Sequence, residues 1–204
     1  MTDPATPTRP GRRPGHANTR DRILQAARNQ FAGKGFDHTT IRSIASEAGV
    51  DSALVHHYFG TKRRLLVDAI ELPLDPDTVL ATLEAAPVDN LGETLARTVI
   101  GVWDSVHQPA VVAAVRSALT SGDENLVRSF LLDVALKDIA VRVDSPPGSG
   151  LLRVALVASQ MTGLFVTRHL LGIDALRALP TERAVRLIAP TLQRYLTGPL
   201  DPPV

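Results

Sequence analysis

Apolar positions along the chain recur at helical spacing. From Thr19 onward Ile23, Ala27 and Phe31 fall at i, i+4 and i+8 with charged residues between them, which predicts an amphipathic helix. It ends at Gly33-Lys34-Gly35, where a glycine can take the left-handed conformation that closes a helix. A hydroxyl N-cap from Thr39 or Thr40 opens a short second helix, IRSIASEA, with Ile41, Ile44 and Ala45 on one face. Gly49 ends that helix, and Asp51 or Ser52 caps a third, SALVHHYF. A further helix starts near Lys62, and the Pro-rich LPLDPD at 72–77 breaks the pattern. Helices are then predicted over 77–86, 90–106, 109–120, 123–143, 151–172 and 181–197, each bounded by Pro, Gly, Asp or Asn. No strand-like alternation occurs, so the expected fold is all-α.

Composition agrees with that reading. The 204 residues are 44% hydrophobic and 21% charged, an ordinary globular balance. Aromatics make up only 4%, a mix that favours packed helices over strands. The absence of cysteine excludes a disulfide framework, a thiolate metal site and a thiol nucleophile. Charge is unevenly spread: Met1 to Ile70 holds 11 Lys/Arg against 6 Asp/Glu, and the remainder holds 11 against 15. A basic head on an acidic body is the pattern of a nucleic-acid-binding module joined to a sensing or dimerising one.

Residues 1–18 are rich in Pro and Gly and read as a flexible basic arm. Its Arg9, Arg12 and Arg13 either enter a minor groove or form a solvated tail. Arg12-Arg13 is followed by Pro14, Gly15, His16 and Asn18 in place of an apolar leader segment, so a cytoplasmic chain is expected. The most apolar stretch, 154–167, is bracketed by Arg153 and Arg168 and is too short to span a bilayer. It reads as a buried helix, with no membrane partner.

Helix, tight glycine turn, helix is helix-turn-helix spacing. Ala45 is small where the two helices approach, Gly49 supplies a positive φ, and Val50, Val55 and Phe59 seat the second helix on the first. Ser52, Ala53, Leu54, His56 and His57 are then exposed. Such a helix can lie in a major groove, with Ala53 and Leu54 against thymine methyls and Ser52 or His56 hydrogen-bonded to base edges. Tyr58, Lys62 and Thr40 flank it as phosphate contacts. Adjacent His56 and His57 point about 100° apart and make a poor chelate, so no metal is expected.

The run TTIRSIASEAGVDSALVHHYFGTKRRLL at 39–66, with FAGKGF at 31–36 before it, resembles the DNA-binding domain of TetR-family transcriptional regulators. The TT–I–IA–AGV–HYF–K–L pattern falls at family spacing without gaps over about residues 19–67. One departure is His56, where many members carry Tyr. The resemblance implies that Arg42 reaches a base or phosphate, that Ser52, Ala53, Leu54 and His56 face bases, and that Thr40, His57, Tyr58 and Lys62 contact phosphates. It also implies a three-helix helix-turn-helix DNA-binding domain over 19–67, followed by a helical ligand-binding and dimerisation domain over 68–204.

Helix 151–172 is apolar on nearly every face, and Leu152, Ala155, Leu156, Ser159, Thr162, Gly163 and Val166 permit close helix approach. In helix 181–197, Leu187, Thr191 and Tyr195 lie on one side and Val185, Ile188, Leu192 and Leu196 on another. A two-fold four-helix interface would satisfy both faces; the alternative packs one of them on helix 123–143. Trp103, His107, Phe130, Met161 and Phe165 are the pocket candidates, with Gln160 and Arg116 as polar orienters of a hydrophobic ligand. Phosphate-binding, zinc-protease and nucleophile-elbow motifs are missing, so no enzyme activity and no cofactor are expected. The expected function is a sequence-specific, homodimeric DNA-binding repressor released from a palindromic operator by a small hydrophobic molecule. The alternative is a sequence-tolerant DNA-binding or protein-contact module without an effector.

Overall fold

In the computed structural model, which describes residues 15–120 and 124–200, most of the described residues are helical and none lies in a strand. The first helix, α1, runs Gly15–His38 and breaks at Gly35, whose φ of 76° and ψ of 171° are open essentially to glycine alone. It begins four residues before the predicted start at Thr19. The arm reading for residues 1–14 lies outside the described residues. Ile23, Ala27 and Phe31 are fully buried, the stripe that their spacing predicts.

Three short helices complete the N-terminal unit: α2 (Ile41–Ala48), α3 (Ser52–Phe59) and α4 (Lys62–Ala69). Each has a side-chain cap. Thr40 and Ser43 form a reciprocal capping box at α2, Asp51 accepts from the Ala53 amide at α3, and Thr61 accepts from the Arg64 amide at α4. Ile44, Val55, Phe59, Leu65 and Leu66 close over α1.

The body follows with α5 (Pro76–Ala85), α6 (Leu91–Trp103), α7 (Gln108–Thr120), α8 (Glu124–Ser129), α9 (Lys137–Arg142), α10 (Gly150–Phe165), α11 (Asp174–Arg177) and α12 (Thr181–Thr197). The helix predicted over 123–143 is interrupted by a π-helical turn, Phe130–Ala135. The interruption has a physical cause. Leu126 and Val134 are buried in the head's core, whereas Leu136, Ile139 and Val143 are buried in the body's. A single α-helical face cannot point at both, and the wider π turn rotates the apolar stripe from one to the other. The predicted helix 90–106 stops at Trp103, and α11 has no counterpart in the sequence pattern.

A second π turn, Val166–Leu170, extends α10, so the helical run Gly150–Leu170 is 21 residues and long and apolar enough to cross a membrane. This corrects the length read from 154–167. The helix nevertheless packs as a core element on α9 and α12, and both of its arginines are buried and bonded. Arg153 donates to the carbonyls of Ser145, Tyr195 and Gly198. Arg168 pairs with Asp104 at 2.7 Å and donates to the Leu176 and Leu179 carbonyls.

The body's most extensive helix contact is α6 on α12. It is tight at Gly92, where a β-carbon would lie 2.6 Å from the Gln193 amide nitrogen and 2.8 Å from the Ala189 carbonyl oxygen. The Gln193 side chain bridges the same point, accepting from the Gly92 amide and donating to the Val88 carbonyl. Gly92→Ala therefore forces two backbones apart and should cost about 1–3 kcal/mol, a Tm lower by roughly 3–10 °C. Gly101→Ala in the same helix meets nothing within 4 Å and should instead stabilise by about 0.5–1 kcal/mol. Thermal unfolding of the two variants checks the pair.

Candidate nucleic-acid interface

The turn between α2 and α3 is set by Gly49, whose φ of 64° and ψ of 43° are left-handed. Its amide, and that of Val50, donate back to α2 carbonyls, and the Arg22 guanidinium donates to the Ala48 carbonyl. The Ala45, Ser46 and Ala48 carbonyls at the end of α2 are thereby satisfied. Val55 and Phe59 are buried and seat α3 on the head's core. On the opposite side of α3, Ala53, His56 and His57 are exposed and Ser52, Leu54 and Tyr58 half-buried. Arg42 and Thr40 are exposed at the N-terminal end of α2.

His56 is partly committed. Its Nδ1 lies 3.0 Å from the Gly60 carbonyl, which can only accept, so Nδ1 carries the hydrogen in that contact. In the neutral ring Nε2 is left as an acceptor at the surface. Tyr58 packs against the head's core with an edge-on contact to His57. The Thr40 hydroxyl oxygen accepts from the Ser43 amide, which leaves its hydrogen to donate.

Lys62 is placed differently from a solvent-facing phosphate ligand. Its ammonium donates to the carbonyls of Phe36 and Thr39, each at 2.8 Å, and stands 4.2 Å from the centre of the Phe36 ring. Burial pushes it below the ordinary lysine range, and Asp37 pulls the other way. The sequence pattern identifies the lysine but not these partners, which lie 23 and 26 residues earlier.

Comparison with known proteins decides the family. Residues 23–69 match the model of bacterial regulatory proteins of the tetR family, and residues 89–196 match that of the tetracyclin repressor-like C-terminal domain. The chain belongs to the TetR family. Over 151 residues it is 28% identical to the HTH-type transcriptional repressor NicS of Pseudomonas putida, a match covering 72% of this chain and 66% of that protein. Over 72 residues it is 36% identical to the repressor KstR2 of Mycolicibacterium smegmatis, covering 35% of this chain and 32% of that one. These matches span a third to two thirds of the relatives' lengths. A TetR-family regulator of Streptomyces coelicolor is 34% identical over 92% of this chain and 99% of its own, with a TM-score of 0.43.

This TetR-family chain brings only some of the pocket candidates together. Trp103 and Phe165 meet edge-on at 5.0 Å between ring centres, and Met161 is buried in the same core. Gln160 is half-buried on α10, while His107 and Arg116 are exposed. Phe130 is elsewhere. The π turn directs it onto the head's core, away from Trp103 and Phe165. Neither described cavity is lined by any of the seven.

Beside the Trp103–Phe165 pair lies a polar cluster that helical periodicity does not single out. His169 meets Trp103 edge-on and Phe165 at a tilt, its side chain only 3% exposed, with Nδ1 at 2.9 Å from the Gln108 amide nitrogen. Its Nε2 has no hydrogen-bond partner and lies 3.5 Å from an Asp104 oxygen. The other Asp104 oxygen accepts from Arg168 and Thr181. One signal was available in the chain: Arg168-His169 ends the most apolar run, where a charge must find a partner.

Burial lowers the His169 pKa; Asp104 raises it and Arg168 lowers it further. Below the usual histidine pKa of about 6.5, the unfolded chain binds a proton that the folded ring resists. Stability therefore falls as pH drops from about 6.5 to the lowered folded value, below which this contribution is fully lost. His169→Gln should flatten the decline in Tm between about pH 7 and pH 5. An unchanged slope in thermal scans would place the acid sensitivity on other groups.

Proposed function

We propose that this protein is a homodimeric, sequence-specific transcriptional repressor whose α3 enters the major groove and whose DNA affinity is lowered by a small apolar ligand. The observation that carries the reading is the two-sided α3. One face is locked on the head by Val55 and Phe59, and the other offers small and hydrogen-bonding side chains at its start. Ser52, Ala53, Leu54 and His56 are assigned to bases. His56 Nε2, left as an acceptor, suits an exocyclic amino group of adenine or cytosine. Arg42, Thr40, His57 and Tyr58 are assigned to the backbone, and Lys62 to holding the flanking loop.

Pairing of two chains rests on α10 and α12. Leu152, Ala155, Ser159, Thr162 and Gly163 make one outward stripe on α10, half-buried Leu156 and Val166 completing it. Leu187 lies 58% exposed on α12, and Leu151 is also exposed. A stripe of small and apolar residues facing outward on a long helix fits a two-fold four-helix interface. Leu152→Arg with Leu187→Glu should leave a folded monomer, read by analytical ultracentrifugation and circular dichroism.

The reading is tested by selecting genomic DNA fragments with the purified protein at two salt concentrations. An inverted repeat with half-sites about 34 Å apart is expected. Leu54→Ala should change the preferred base at one position of each half-site by about 1–3 kcal/mol, while Arg42→Ala should weaken all sequences and flatten the salt dependence. Enrichment of no sequence would favour the sequence-tolerant alternative.

A further inference from the structure

Two openings beside α1 share part of their lining. One, of about 500 Å³, lies between α1 and the end of α4 and takes in Arg20, Asp68 and Leu72. The other, of about 270 Å³, lies where α1 and α4 meet α7 and α8. Gln25, Arg28 and Glu71 belong to both. The smaller cavity is lined by apolar Ala32, Ile70, Ala114 and Leu126 together with polar Gln25, Asn29 and Ser117, and Arg28 is the one cation among its described lining residues.

Arg28 is already occupied by a carboxylate. Its Nε donates to the Ala69 carbonyl at 2.8 Å, and a terminal nitrogen donates to Glu71 Oε1 at 2.6 Å. Glu71 is an awkward occupant. Its φ of 59° is a conformation that a side-chain-bearing residue takes at a cost, and its side chain is 66% exposed. A carboxylate so placed gives up little on returning to water.

We propose that the smaller cavity binds a compact apolar monocarboxylate, whose carboxylate takes the place of Glu71 on Arg28 while its hydrocarbon part covers Ala114 and Leu126. The guanidinium fork matches a carboxylate better than any neutral group, and the chain's own Glu71 shows that the position accepts one. Arg28 repels an amine. The volume lies just below the range of drug-sized ligand pockets, about 300 to 1,000 Å³, and suits a benzoate-sized molecule. Such a ligand touches α1 and α4 on one side and α7 and α8 on the other, and so bears on head and body at once. The site stands apart from the Trp103–Phe165 region and does not depend on the DNA-binding reading, since binding is measured on the protein alone.

Calorimetric titration of the full chain with benzoate, benzamide and benzylamine tests it, using wild type, Glu71→Gln and Arg28→Gln. Benzoate is expected to bind with a Kd on the order of 10–1,000 µM, and benzamide and benzylamine about tenfold or more weaker. Glu71→Gln removes the competing carboxylate and should tighten benzoate by about 3–10-fold, whereas Arg28→Gln should abolish binding. Opposite effects from the two partners of one ion pair are not expected if the pair is only structural. Because Arg28→Gln also loses the tie to Ala69, Glu71→Gln is the deciding variant. No saturable benzoate binding to wild type and Glu71→Gln, weaker binding by Glu71→Gln, or equal affinity for benzamide would each overturn the proposal.

Discussion

Residues 124–143 have to fill two cores with one run of chain, and the arrangement of the molecule follows from that constraint. Leu126 and Val134 close the floor of the head beneath α1, and Leu136, Ile139 and Val143 line the body under α10 and α5. Because α8 is built into the head's core, the head is not a bead on a flexible string. It shares a packed boundary with the body, reinforced by Lys137 on Asp37 and by Leu80 of α5. Exposed ion pairs of this kind add little by themselves. The apolar contact sets the boundary, and the charges fix its register.

Polar groups hold the body at two points that apolar packing leaves open. Arg153 gathers carbonyls from the loop before α10 and from the end of α12, where a cation also complements the helix dipole. Arg168 does the same for α11 and the loop after it, with Asp104 as its counter-ion. Each arginine satisfies backbone oxygens that would otherwise be buried without donors, and so each ties a chain reversal to α10.

Much of this was legible in the chain. The head has strong periodicity, named caps and glycines at the points of positive φ, so Ile23, Ala27, Phe31, Val55 and Phe59 could be placed from spacing alone. Helix 123–143 was legible as helix but not as two faces, because a π turn leaves the residue types unchanged and alters only their direction. Phe130 was grouped with Trp103 and Phe165 for that reason. Long-range polar pairs escaped altogether: Asp104 meets Arg168 across 64 residues, and no local pattern reports that encounter. The cavity at Arg28 was equally hidden, since its walls come from four helices.

Lys62 carries a mechanical consequence. Its ammonium joins the first residue of α4 to Phe36 and Thr39, and Thr39 immediately precedes the residue that caps α2. Three segments meet at one charge, so α4 cannot slide without dragging the start of α2 and, through the Gly49 turn, α3 with it. The head is braced as one plate. A displacement of that plate carries the reading face with it, because the end of α1, the start of α2 and the start of α4 are held in register by a single ammonium.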